Sequence, residues 1–230
     1  MKIKKILSAL LALSFVLALF CSCGKTDTTS GDADSLQETL SDSADTDETS
    51  SDNNTDSKED TNMSNPQVKV KMENGGEFII ELYPEFAPKT VENFLKLVNE
   101  GFYNGLTFHR VVEGFMAQGG DPDGTGMGGS DETIKGEFAS NGFTQNTLSH
   151  TRGVISMARS AQNDSASSQF FICYSDGCTA LDGSYAAFGM VIEGMEVVDA
   201  FCDCEMTYNS MGEKASPVEP IYIDTMTQIK

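Results

Sequence analysis

Between Phe108 and Asp121 the chain reads Phe-His-Arg-Val-Val-Glu-Gly-Phe-Met-Ala-Gln-Gly-Gly-Asp, one arginine and one glutamine set among large apolar residues between glycine turns. Two short strands, Phe108 to Val112 and Phe115 to Gln118, joined at Glu113-Gly114, would put Phe108, Arg110 and Val112 on one face and His109 and Val111 on the other. A guanidinium beside Phe115, Met116 and Gln118 is costly to desolvate unless its donors find partners. Arg110 is therefore either paired within the protein or kept to meet a ligand. The stretch reads as the floor of a binding site.

Other reactive residue types are placed less favourably. His109 and His150 are the two histidines of the chain. His109 alternates away from Arg110, and His150 sits in the turn Ser149-His150-Thr151-Arg152, so neither is expected to bind metal or act as a base. Ser156 and Ser168 lie in no Gly-x-Ser-x-Gly elbow, and a serine hydrolase would need one of these histidines beside a nucleophile. Gly124-Thr125-Gly126-Met127-Gly128-Gly129 lacks a following Lys-Ser or Lys-Thr and is no phosphate loop; it reads as a flexible rim loop. Cys202 and Cys204 fall two apart on an expected helix and point to different sides, which suits neither a bridge nor zinc. A Cys173–Cys178 disulfide is conceivable, but Cys173 ends an apolar strand and reads as a small buried residue.

The elements that must position these residues begin with a hairpin. Val68 to Met72 alternates apolar and basic residues, Asn74-Gly75-Gly76 turns, and Phe78 to Leu82 returns. Pro84 and Pro88 break the pattern and Thr90 precedes a helix of about ten residues, whose stripe Val91, Phe94, Leu95, Val98 has helical spacing and which ends at Gly101. Short strands between glycine and asparagine clusters follow, then a second helix near Met195 to Phe201 and a closing strand from Ile221 to Met226. Many short strands with few helices indicate a barrel or a sandwich.

The chain has three parts. In residues 1–23, Lys2, Lys4 and Lys5 precede an uncharged apolar run, Ile6 to Phe20, too short for a membrane span of roughly 20 residues. It ends in Phe20-Cys21-Ser22-Cys23-Gly24, which looks like a bacterial lipobox with Cys23 as the lipidated residue; the alternative is a plain signal peptide cleaved near Cys23. Either reading exports the protein. Residues 24–67 are Ser, Thr, Asp, Glu and Asn with almost no large apolar residues and a net charge of −10. Such a segment cannot bury enough surface to offset its ordering entropy, so a disordered acidic tether is expected, spanning about 35 to 40 Å as a random coil. Residues 68–230 form a single domain long enough for one core, with a net charge of −13 that argues against nucleic acid or anionic lipid as partners.

From Phe108 to Asp121 the chain closely resembles the active-site signature of the cyclophilins, the peptidyl-prolyl cis-trans isomerases. Gly153 to Arg159, Ser168 to Ile172 and Leu181 to Gly189 follow in that family's order and spacing, and the resemblance covers about Val68 to Lys230. It implies a mainly β fold, a closed eight-stranded antiparallel barrel with a helix capping each end. It also implies isomerisation of X-Pro bonds without a cofactor or metal, acting on proline-containing polypeptides; a monomer is expected. The barrier is close to the ~18 to 20 kcal/mol of amide resonance and no bond breaks. The twisted amide needs a donor at its nitrogen lone pair, and Arg110 matches the family's residue for that role. Gln118 matches the residue that bonds a substrate carbonyl and helps fix Arg110. Phe115, Met116, Phe171 and Leu181, which are otherwise core candidates, match the proline pocket. Ala158, Arg159 and Gln169 fall along the substrate groove.

The chain also departs from the best-known eukaryotic pattern. Ala180 stands where those members carry Trp, Tyr185 where they carry His beside the pocket, and Arg159 where Asn is usual. Tyr185 keeps a polar tip on a ring, whereas Ala180 removes a large contact, so weak binding of cyclosporin is expected. The expected function is a lipid-anchored extracytoplasmic isomerase that assists folding of exported proteins. The rivals are a non-catalytic module holding proline peptides at the cell surface and a structural spacer.

Overall fold

The structure, a computed structural model, describes residues 64–230. The leader 1–23 with Cys23, and the tether as far as residue 63, lie outside the described residues.

Alternation builds the first hairpin. Val68, Val70 and Met72 are buried in β1 (Gln67–Met72), and Phe78, Ile80 and Leu82 in β2 (Glu77–Leu82), while the lysines between them face outward. Helix α1 (Pro88–Asn99) follows, then β3 (Thr107–Val112), β4 (Met116–Asp121), β5 (Val154–Met157), β6 (Phe170–Cys173) and β7 (Ala187–Glu193). The chain ends with α2 (Met195–Asp199), a small hairpin of β8 (Met206–Tyr208) and β9 (Lys214–Pro217), and β10 (Ile223–Gln228).

Eight strands form one antiparallel sheet in the order β10-β1-β2-β7-β5-β6-β4-β3. The expected mainly β architecture is present, but the expected closure is not: the sheet is an open half-barrel. Its edges meet at one Thr107–Tyr222 bridge, where Phe108 N donates to Ile221 O at 3.0 Å and Ile223 N donates to Leu106 O at 2.8 Å. Closure stops there because the outer side of β3 next faces β9 instead of β10.

Aromatic rings fill the concave face. Phe94 of α1 lies 5.6 Å from Phe170, Phe170 lies 5.8 Å from Phe108, and Phe108 lies 4.8 Å from Phe201 in the 3-10 turn after α2. The row of rings joins α1 to the turn after α2 through the interior of the sheet, each pair adding about 0.5 to 1.5 kcal/mol beyond its burial.

Three expectations for the helices change. Pro88 occupies the first turn of α1, where its missing N–H is no loss, and Thr90 lies inside the helix instead of before it. Leu97 joins the buried stripe while Leu95 packs at its margin. Cys202 lies in the 3-10 turn and Cys204 beyond it, and Cys173, Cys178, Cys202 and Cys204 are free thiols.

Candidate active site

The site is aimed by one irregularity. Arg110 pairs with Gln118, Val111 with Ala117 and Val112 with Met116, but the register shifts between Phe108 and Arg110, leaving His109 as an extra residue. A bulge of this kind breaks side-chain alternation. Phe108 and Val111 both enter the core, while Arg110 and Val112 face the other way. Phe108 therefore does not share a face with Arg110, as simple alternation required, and His109 lines the same cavity as Arg110. The following turn has Phe115 N donating to Val112 O at 3.0 Å, with Gly114 at φ 72°, a position that needs glycine.

Directly across the ladder, Gln118 Oε1 accepts from Arg110 Nη1 at 3.4 Å, and Met116 Sδ lies 3.7 Å from the same nitrogen. Gln118 Nε2 donates to Gln169 Oε1 at 2.8 Å, and Gln169 Nε2 donates to Gly128 O at 2.7 Å. This row of amides connects the guanidinium to the glycine-rich loop. That loop is wound around the buried Asp121 carboxylate, which accepts the N–H groups of Asp123, Thr125 and Gly126. Burial alone would raise the Asp121 pKa, but the backbone donors outweigh it and hold the carboxyl below its ordinary value.

A cavity of about 410 Å³ opens beside Arg110, walled by Phe115, Met116, Phe171, Leu181 and Tyr185. Its floor is an apolar cluster separate from the main core, with Met116, Phe171, Cys173 and Cys178 buried in it. Cys178 Sγ donates to Phe115 O, and the neighbouring Cys178 thiol together with burial pushes the Cys173 pKa up. Gln118, Ala158 and Arg159 line both this cavity and an adjacent one of about 270 Å³, which Gln169 also lines. The structure thus brings all ten residues singled out in the domain to two contiguous cavities. Arg159 is turned toward its own chain: Nε and Nη2 donate to Ser184 O at 3.1 and 2.8 Å, and Nη1 donates to Ser160 O at 2.9 Å.

His150 lies beside a hydroxyl, a contact that its place in a turn did not signal. Its Nε2 is 2.9 Å from Ser156 Oγ and its Nδ1 is 2.8 Å from Asp182 Oδ1. The contacts follow the order of a Ser-His-Asp triad. Ser156 and His150 are both fully buried, however, so no substrate reaches the hydroxyl. The imidazole stacks on Phe171 at 6.0 Å and backs the cavity wall. Burial lowers the His150 pKa more than Asp182 raises it. His109 is also held below its ordinary pKa, chiefly by burial, and its ring nitrogens meet no hydrogen-bond partner among the described residues. Among those residues no group of three His, Cys, Asp or Glu side chains is placed to hold a metal ion.

The β8–β9 hairpin escaped the sequence reading. Asn209, Ser210 and Met211 line the main cavity, and Glu213 holds Arg110 in a two-point ion pair, Nε to Oε2 at 2.6 Å and Nη2 to Oε1 at 2.9 Å. The hydrogen bonds from Arg110 keep the Glu213 carboxyl below the usual carboxylate range. Asn209-Ser210-Met211-Gly212 does carry a turn signal, but nothing local in it points to a residue 103 positions earlier.

Known sequences and solved structures resemble this chain. The sequence profile described as "Cyclophilin type peptidyl-prolyl cis-trans isomerase/CLD" matches residues 67–228. The chain belongs to this family and is an isomerase of the peptide bond before proline. It is 50% identical over 125 residues to peptidyl-prolyl cis-trans isomerase B of Bacillus subtilis, covering 54% of this chain and 82% of that protein. A crystal structure of a Cryptosporidium parvum cyclophilin type isomerase matches with a TM-score of 0.62 and 30% identity, over 72% of this chain and 98% of that one. A second crystal structure of the same protein, in the presence of the dipeptide Ala-Pro, matches with a TM-score of 0.61 and 31% identity, over 71% of this chain and 99% of that one.

Proposed function

We propose that Arg110 and Gln118 carry the isomerisation and that the cavity beside them seats the proline ring of an exported client protein. The observation that supports this reading most is the placement of the guanidinium, with Nη1 between Met116 Sδ and Gln118 Oε1 in a cavity whose other wall is apolar. Phe115, Met116, Phe171, Leu181 and Tyr185 grip the ring, and Ala158, Arg159 and Gln169 border the chain on either side of it. When the X-Pro bond twists, its nitrogen loses conjugation and gains a lone pair. A donor at that nitrogen binds the twisted amide more strongly than the planar one, which lowers the barrier. Gln118 keeps the donor aimed, and no cofactor enters the step.

The cis-to-trans rate of a short X-Pro peptide, measured with the full chain, tests this. Wild type should accelerate the reaction, and Arg110→Ala should lose on the order of 100-fold or more, the effect of removing a preorganised donor. A folded Arg110→Ala protein at full rate would remove Arg110 from the mechanism. The competing reading, a proline-peptide holder with little turnover, draws support from the Glu213 carboxylate on Arg110; peptide binding without rate acceleration would select it.

The cellular part of the proposal is a monomer tethered to the membrane by lipid on Cys23, with residues 24–67 holding the catalytic domain clear of the surface on the extracytoplasmic side. Palmitate labelling of the wild type, absent in Cys23→Ala together with release from the membrane fraction, is the expected result.

A further inference from the structure

We propose that Glu213 is a positioning residue for Arg110, an inference that rests on the isomerase reading above and adds a second holder of the guanidinium. Arginine presents five N–H donors on a long side chain, with about 2 kcal/mol of rotamer entropy to lose when one geometry is imposed. Gln118 meets a single nitrogen of Arg110, at 3.4 Å, which aims one corner of the group and leaves its plane free to turn. Glu213 supplies what is missing. Its two oxygens take the Nε and Nη2 edge in a planar fork, at 2.6 and 2.9 Å, and leave the Nη1 edge against Met116 and the cavity.

Glu213 is itself held. Asn209 Oδ1 accepts the N–H groups of Met211 and Glu213, each at 3.0 Å, and Asn209 Nδ2 donates to Glu213 Oε2 at 3.3 Å. Asn209 N donates to Glu213 O at 2.9 Å, and Gly212 at φ 76° makes the turn that brings the carboxylate back over the site. Strand β9 then runs beside β3, where Ser216 Oγ donates to His109 O at 3.4 Å. The order of support is Asn209 to Glu213 to Arg110, carried on a hairpin tied to the strand that bears the arginine.

Two effects of the carboxylate oppose each other. It neutralises the guanidinium and weakens the field in the cavity, and it fixes the direction of the free N–H bonds. The second dominates for this reaction, because the twisted amide develops a neutral lone pair instead of a full charge, and a lone pair responds mainly to donor alignment. The pair is part-exposed, with side-chain accessibilities of 21% for Arg110 and 35% for Glu213, so it adds little to folding. Its use lies in orientation.

The test compares wild type, Glu213→Gln, Glu213→Ala, Arg110→Ala and the Arg110→Ala/Glu213→Ala double variant of the full chain on one X-Pro peptide, with a thermal melt of each. Glu213→Ala should lower kcat about tenfold and move KM less than about twofold, and Glu213→Gln, which keeps one acceptor, should fall between it and wild type. In the Arg110→Ala background the Glu213→Ala change should have no further effect, because the residue acts only through the guanidinium. A stability role alone would move the melt and leave this kinetic pattern absent. An active wild type with Glu213→Ala at equal or higher kcat overturns the inference and leaves the isomerase reading standing. An inactive wild type overturns both.

Discussion

The guanidinium of Arg159 lies over the ring of Tyr185, its central carbon 4.6 Å from the ring centroid, and the ring of Phe138 lies 5.0 Å away on the same group. With Nε and both terminal nitrogens donating to Ser184 O and Ser160 O, this arginine braces the cavity wall. Arg159→Ala should raise KM several-fold with kcat nearly kept, and lower stability by about 1 to 2 kcal/mol. Tyr185→Phe keeps the ring and should leave KM within about twofold. Steady-state kinetics and urea melts of the two variants check both statements; a fall in kcat alone for Arg159→Ala would contradict this assignment.

Helix α1 has no side-chain cap of its own, since its N-cap is Ala87. Glu137 takes that place from a distant loop, accepting Lys89 N at 3.0 Å, Thr90 N at 2.8 Å and Thr90 Oγ1 at 2.7 Å while 3% exposed. A carboxylate there also meets the positive end of the helix dipole. Glu137→Ala should cost about 2 to 4 kcal/mol, because it strands buried donors. Glu137→Gln should cost less, and equal urea midpoints for wild type and Glu137→Ala would refute the capping role.

Both histidines have folded-state pKa values below the ordinary 6.5. Between the folded values and 6.5 the unfolded chain binds more protons than the folded one, so stability is fully present above 6.5 and is lost as pH falls through the folded values. The urea midpoint should therefore drop between about pH 7.5 and about pH 5, and the drop should shrink in His109→Gln, which removes one of the two groups. Midpoints independent of pH in this window would show that the histidines do not carry the linkage.

Ala180 is exposed at the end of the segment that leads into Leu181 on the cavity wall. A tryptophan at this point would add a large ring and an indole donor. Ala180→Trp is predicted to tighten cyclosporin binding about tenfold or more, read by titration calorimetry, with the X-Pro isomerisation rate nearly unchanged.

The pattern of local residues was enough to place the first hairpin, most of the stripe of α1 and the segment that carries Arg110 and Gln118, because period-2 and period-3.6 spacing and turn residues act over a few positions. The resemblance added Phe115, Phe171 and Leu181, which are otherwise core candidates, and set Tyr185 beside them. What stayed hidden depends on long-range contact. Glu137 reaches α1 across 47 residues, and Asp182 reaches His150 across 32. The His109 bulge is invisible because alternation assumes an unbroken ladder, and one extra residue inverts the faces before it. The edge that keeps the sheet from closing is likewise set by β9, a strand of four residues with no clear alternation.

Strand β1 pairs with β10 through Val68 and Gln228, while Ile229 N donates to Gln67 O at 2.8 Å. The first and last strands of the sheet are thus neighbours, and one side of β1 stays unpaired until β10 arrives. A topology of this high contact order places the main entropic hurdle of folding in joining the ends of the domain and slows the search for the native state. An isomerase of the X-Pro bond thus has, in its own fold, a ladder that forms only when the two ends of its domain meet.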